Sequence, residues 1–198
     1  SGISIKFKNL RLVKKCINKL KQFSTYDELY KSNLIKLLVF SVDLNKECIH
    51  NNIIKILETD TVLYRACKGT ELEVFQKKSW DPLIKYVEQN YKMVFKIQHG
   101  VMPIAQNQNN KIILLSYLSK LSSKRLTTFY FLTKLTNSVI ITINFLDSVI
   151  NEESAWELAN IEGNYNILEW GEDKEEKNRF LLKKLFYIDI INFKNLIT

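Results

Sequence analysis

Apolar residues recur along this chain mostly at three- and four-residue steps, the spacing that gives a helix one buried face. Leu10, Val13, Ile17, Leu20 and Phe23 predict an amphipathic helix with a lysine-rich back. A second helix is expected over Glu28–Val42. A third is expected over Cys48–Ala66, with Ile49, Ile53, Ile56 and Leu57 turned inward. Gly69 interrupts the pattern, and Thr70 and Glu73 then stand at the spacing of a capping box. In Trp80-Asp81-Pro82, Asp81 is placed to cap and Pro82 to open a further helix, where its missing N–H costs nothing. The stretch 91–106 is the least helical, with Gly100 and Pro103, and a short extended piece at 93–97 is the most strand the pattern predicts. Helices resume over Lys111–Leu121 and again from Ser123.

The run Ser138–Leu146 is rich in β-branched residues, so its period does not separate buried helix from strand. With no partner strands in view, it reads as the central buried helix. Asn151-Glu152-Glu153 opens the next helix, acid in its first turn favouring the helix dipole. That helix carries Ala155, Leu158, Ala159 and Ile161 and pauses at Gly163 or Gly171. A last helix covers Asp173–Asn195.

Composition supports the same picture. Sandwiches and barrels draw heavily on Gly and Pro for their turns, and 198 residues here hold five Gly and two Pro. With 46% apolar residues the chain can bury one good core. The expected fold is mainly α, an irregular orthogonal helical bundle. No uncharged apolar run approaches the ~20 residues of a membrane span, so no membrane insertion is expected.

Charge is unevenly placed. Residues 1–36 carry nine Lys/Arg against Asp27 and Glu28, a net +7 of the chain's +8. Such an arm suits nucleic acid, an anionic surface or an acidic protein. The basic residues are nearly all Lys, whereas bidentate recognition of phosphate or guanine prefers Arg. A basic helical nucleic-acid-binding protein is therefore the runner-up reading, and specific nucleic-acid binding is not expected.

Catalytic equipment is missing. His50 and His99 lack companions at metal-ligand spacing. Cys16, Cys48 and Cys67 form no Cys-x-x-Cys pair and read as reduced thiols. Five scattered glycines build no phosphate loop. Acid pairs such as Glu172-Asp173 and Glu175-Glu176 suit a solvated first helical turn better than a catalytic dyad. The chain is expected to be no enzyme, to use no cofactor and to bind no metal.

Several separated segments resemble one family, the assembly chaperones of the mitochondrial and alphaproteobacterial ATP synthase alpha subunit. Its D-x-V-C-Y-R-A stretch has a counterpart in Asp60-Thr61-Val62-Leu63-Tyr64-Arg65-Ala66, and its Q-x-x-x-W-D-P-L segment in Gln76 and Trp80-Asp81-Pro82-Leu83. Leu135-Thr136-Asn137-Ser138 is similar to the family's L-x-G-S entry into a central helix, with Asn137 in place of Gly. Ala155, Ile161-Glu162, Tyr165, Trp170-Gly171-Glu172-Asp173, Glu175 and Arg179 resemble its closing pattern, with Gly163 where a second acid is usual. Leu34, Leu37, Val42 and Asp43 fit an upstream helix more loosely.

The resemblance implies a non-enzymatic monomer of the mitochondrial matrix, or of the bacterial cytoplasm for an alphaproteobacterial source. It would bind the unassembled alpha subunit of F1-ATPase and cover its beta-contacting surface, an aggregation hazard while unassembled. It also implies that residues 1–25, the basic helix, are the last part of a β-rich N-terminal domain, and that 26–198 form the helical chaperone domain. Glu162 is the leading partner-binding residue, an exposed carboxylate at a helix end, with Trp156, Tyr165 and Glu169 beside it. Asp60, Tyr64, Arg65, Gln76, Trp80, Asp81, Pro82, Trp170, Gly171 and Asp173 are expected to be structural. In that set Trp80 and Trp170 pack in the core, Asp81 caps, and Arg65 pairs with Asp60 or Asp81.

Without a phosphate loop or metal-spaced ligands, titration calorimetry with ATP or Zn²⁺ should detect no saturable micromolar event. A binding isotherm abolished by mutating one compact site would overturn that expectation.

Overall fold

The computed structural model describes Asn18 and residues 32–100, 102–171 and 173–197. The expected basic helix at 10–23 lies outside these residues, apart from Asn18. Among the described residues the elements run α1 (Asn33–Val42), α2 (Lys46–Glu58), a 3₁₀ turn (Thr61–Leu63), β1 (Tyr64–Arg65), α3 (Glu71–Tyr91), β2 (Gln98–His99), α4 (Gln108–Ser119), α5 (Ser123–Thr136), α6 (Val139–Leu146), α7 (Glu152–Ala159), α8 (Ile161–Trp170) and α9 (Lys174–Ile197). The fold is mainly α, as expected. None of these helices is long and apolar enough to cross a membrane.

Local capping explains most helix starts. The side chains of Asn45, Thr70, Asn107, Ser122, Ser138 and Asn151 each accept a bond from a backbone N–H in the turn they open. Lys92 (φ 60°) and Asn137 (φ 50°) end α3 and α5 in the left-handed region. That geometry accounts for Asn137 standing where the resembled family has Gly, since Asn tolerates the region best after Gly.

The core is organised around α6, whose residues 139–145 are all buried. It packs against α3, α5 and α7, with α2 also in contact, while α9 lies across α5 and α1. Side chains fix both of its ends. Asp60 is wholly buried and its carboxylate accepts from Val139 N (2.8 Å), Ile140 N (3.0 Å) and Val62 N (3.1 Å). At the far end Asp147 accepts from the hydroxyls of Tyr86 (3.1 Å) and Tyr91 (2.6 Å) on α3. Between them the Asn144 amide donates to the carbonyls of Leu83 (3.1 Å) and Ile140 (2.8 Å).

Three expectations need correction. The helix predicted over Cys48–Ala66 stops at Glu58. Asp60 must turn inward to reach the α6 backbone, which bends the chain through the 3₁₀ turn into β1. The predicted helix start at Pro82 does not exist, because α3 runs unbroken through it. Burial of Trp80, Leu83, Ile84 and Val87 keeps the helix continuous across the lost hydrogen bond. Asp81 therefore caps nothing. The strand lies not at 93–97 but at Gln98–His99, paired in parallel with β1 as Tyr64↔Gln98 and Arg65↔His99. Over 94–96 side chains substitute for a partner strand: Asn110 bonds both backbone groups of Val94, Gln106 both of Lys96, and Glu88 accepts from Phe95 N.

Loss of solvent raises the Asp60 carboxyl from 3.8 to about 6, against the opposing effect of the Ser138 hydroxyl and the backbone donors. A folded value above the unfolded one means that its stabilising contribution is complete below about pH 3.8. It is lost as pH rises through about 6, a swing of ~3 kcal/mol. The carboxyl ¹³C resonance of Asp60 should accordingly titrate near pH 6, and a midpoint near 4 would contradict this account.

Candidate functional site

β1 and α3 bring most of the structural motif together. Arg65, almost fully buried, donates to the carbonyl of Gln76 (3.0 Å) and to the Asp81 carboxylate (2.8 Å). Its guanidinium also lies 4.9 Å from the Trp80 ring centroid. Burying a guanidinium is costly unless it is paired and bonded, and these contacts meet that cost. Of the two partners expected for Arg65, Asp81 takes the role; Asp60 is occupied at α6. Trp80 packs in the core as expected and donates its indole N–H to the Leu158 carbonyl of α7 (2.9 Å). Tyr64 is half-buried on β1.

Gln76, on α3, is the pivot. Its side-chain oxygen accepts from Ala66 N (2.8 Å), and its amide donates to the Glu162 carboxylate (2.7 Å) in the first turn of α8. Glu162 is exposed as a residue, but its carboxylate end turns toward Gln76. Loss of solvent there raises its pKa, opposed by the Gln76 hydrogen bond and the charge of Arg65. One carboxylate thus faces solvent and is wired into the core. A Cβ at the neighbouring Gly163 would meet nothing within 4 Å, so there is open space where the resembled family has its second acid.

Next to this relay, α3 and α7–α8 enclose an open groove of ≈ 820 Å³. Phe75, Pro82, Leu83, Leu158, Ile161 and Leu168 supply its apolar lining, with Tyr165 beside them. Loss of solvent at the Tyr165 phenol raises its pKa, and the negative charges of Glu169 and Glu71 raise it further. Leu168 is 83% and Trp170 85% exposed at the end of α8. Gly171 (φ 84°) ends α8, and Asp173 accepts from Glu176 N (3.2 Å) as α9 begins.

Two tryptophans reverse their expected places. Trp170, expected in the core, stands in solvent because α8 ends there and Gly171 leads the chain away. Trp156, expected among the partner-binding residues, is only 7% exposed, set between Phe180 and Tyr187 of α9. The packing of α9 decides the place of Trp156, and the end of α8 at Gly171 that of Trp170. The residues missed from sequence are Phe75 and Leu168, together with the exposed α9 stripe Leu181, Leu182, Leu185 and Ile188. The signal for the stripe was available: α9 carries more apolar positions than one buried face can use. Among the described residues, no group of three or more His, Cys, Asp or Glu could hold a metal ion.

Comparison with known proteins places this geometry in a class. The crystal structure of Atp12 from Paracoccus denitrificans superposes with a TM-score of 0.90 at 20% identity, covering 98% of this chain and 84% of that one. The Atu1473 protein of Agrobacterium tumefaciens, a proposed chaperone, gives 0.76 at 21% identity over 83% and 63% of the two chains. No family model matches the chain. The chain shares the fold of these proteins over the parts that superpose. Protein atp12, mitochondrial, of Schizosaccharomyces pombe is 30% identical over 152 residues, 71% of this chain. The chain belongs to the Atp12 family, and it spans about half the length of that curated relative.

Glu162→Gln keeps an oxygen that can accept from the Gln76 amide, whereas Glu162→Lys has no acceptor and should lose the contact. Lys would also face Arg65, so Glu162→Lys should cost ~1 kcal/mol after allowance for solvent screening. Thermal melts of the two variants decide this, and equal melting temperatures would remove the relay from the stability of the fold.

Proposed function

We propose that this chain is an assembly chaperone of ATP synthase whose client is the unassembled alpha subunit of F1-ATPase. Membership of the Atp12 family carries the reading, and the surface around α8 supports it physically. An apolar groove, two nearly naked side chains (Leu168 and Trp170) and a partly desolvated carboxylate (Glu162) lie along one short helix. A holding protein needs such a surface, since it must cover apolar area on its client without any chemical step. It must also let go, which favours modest affinity over a large, dry interface. Glu162, Tyr165 and Glu169 are its contact residues. Trp156 stays in the core and stiffens α7 from behind. The client implies a mitochondrial matrix location, or the cytoplasm in a bacterial source.

The decisive experiment mixes purified chain with isolated alpha subunit and follows co-elution and light scattering. Co-elution and suppressed aggregation are expected, with release once beta subunit is added. Glu162→Lys should weaken binding by ~2 kcal/mol, beyond any loss explained by its melting temperature. Wild-type chain that neither binds alpha subunit nor slows its aggregation would refute the reading.

A further inference from the structure

The groove between α3 and α7–α8 has a charge pattern unlike that of the chain as a whole. The chain carries +8, yet among the described residues no Lys or Arg lines this groove, and its charged lining residues are Glu71 on α3 and Glu157 on α7. Glu169 stands at the same end as Tyr165 and Leu168. Glu157 and Asn164 also line a second hollow of ≈ 530 Å³ between α7 and α9. There Glu152 and Glu153 add two more carboxylates, with Lys184 the basic residue of the lining. An apolar floor thus runs beneath a mostly acidic rim on both sides of α7.

We propose that this groove is a peptide-docking slot for a segment whose apolar anchors are flanked by Lys or Arg. The apolar anchors would displace water from Phe75, Leu158, Ile161 and Leu168. The basic flanks would meet the exposed carboxylates of Glu71 and Glu157 in the groove lining, with Glu169 next to Leu168 along α8. Rim charges of that kind select partners and speed encounter more than they add affinity. An acidic or neutral segment of the same apolar spacing finds no positive group among the described residues of the slot and is discriminated against by the rim. The proposal rests on the chaperone reading only for the identity of the partner, in which case the segment belongs to the alpha subunit.

The test uses the full chain and three fluorescein-labelled synthetic peptides that share one apolar spacing and differ in their flanks, Lys, Gln or Glu. In low salt the Lys-flanked peptide should bind about tenfold tighter than the Glu-flanked one, and the gap should close as salt is raised. The double variant Glu71→Gln/Glu157→Gln should remove most of that gap while leaving the Gln-flanked peptide unaffected. Phe75→Ala and Leu168→Ala, both at exposed positions, should weaken all three peptides without lowering the melting temperature. Equal affinity for Lys and Glu flanks, or Lys-flanked binding that ignores these four positions, would overturn the slot. So would a wild-type sedimentation coefficient that falls in the double variant, because the occupant would then be a second copy of this chain. Groove variants that still bind alpha subunit sink the slot and leave the chaperone reading standing. A wild-type chain that binds the Lys-flanked peptide but not alpha subunit does the reverse.

Discussion

The Asp60 carboxylate sits at zero exposure and receives three backbone N–H groups, two of them from the first turn of α6. Those donors have no partner within their own helix. α6 is buried on every side, so water cannot serve them either. A short, uncapped and fully enclosed helix would carry several orphaned donors, each a substantial cost. Asp60 and the Ser138 hydroxyl remove that cost together, and the rest of the bundle is arranged around the helix they make possible. Drawing Asp60 inward ends α2 early. The same turn sets β1, and β1 delivers Arg65 to the flank of α3.

From there a chain of polar contacts leads outward. Arg65 binds the Gln76 carbonyl and Asp81, Gln76 binds Ala66 and Glu162, and Glu162 reaches solvent on α8. Buried polar groups are tolerable only when each finds a partner, and in this relay each does. The consequence is positional. The start of α8 is tied to the core by hydrogen bonds and by the burial of Ile161. Its far end carries Leu168 and Trp170 with little behind them. A helix anchored at one end and bare at the other presents apolar side chains without burying them, which suits contact with a partner.

Stability and surface are in tension here. Leu181, Leu182, Leu185 and Ile188 on α9 leave apolar area in water that a self-contained domain would cover. The core does not need them. Aromatic packing of Trp156 on Phe180 and Tyr187, and of Phe131 on Phe186, already secures α9.

The sequence by itself determined the fold class, most helix positions and the helix starts at Thr70 and Asn151. Apolar spacing and capping residues are local properties, readable within one or two turns. It also determined that Trp80 is a core residue and that Asn137-Ser138 opens the central helix. Tertiary structure alone decided where α2 stops, because the reason is a bond from Asp60 to backbone some eighty residues away. It decided that α3 passes through Pro82, since burial along one face outweighs one missing hydrogen bond. It placed Trp156 inside, because Phe180 and Tyr187 of α9 pack on it, and left Trp170 in solvent at the end of α8. And it joined Glu162 to Gln76 across 86 residues, a contact with no local trace in the chain. Side chains whose partners are near in sequence were legible; those whose partners arrive by packing were not.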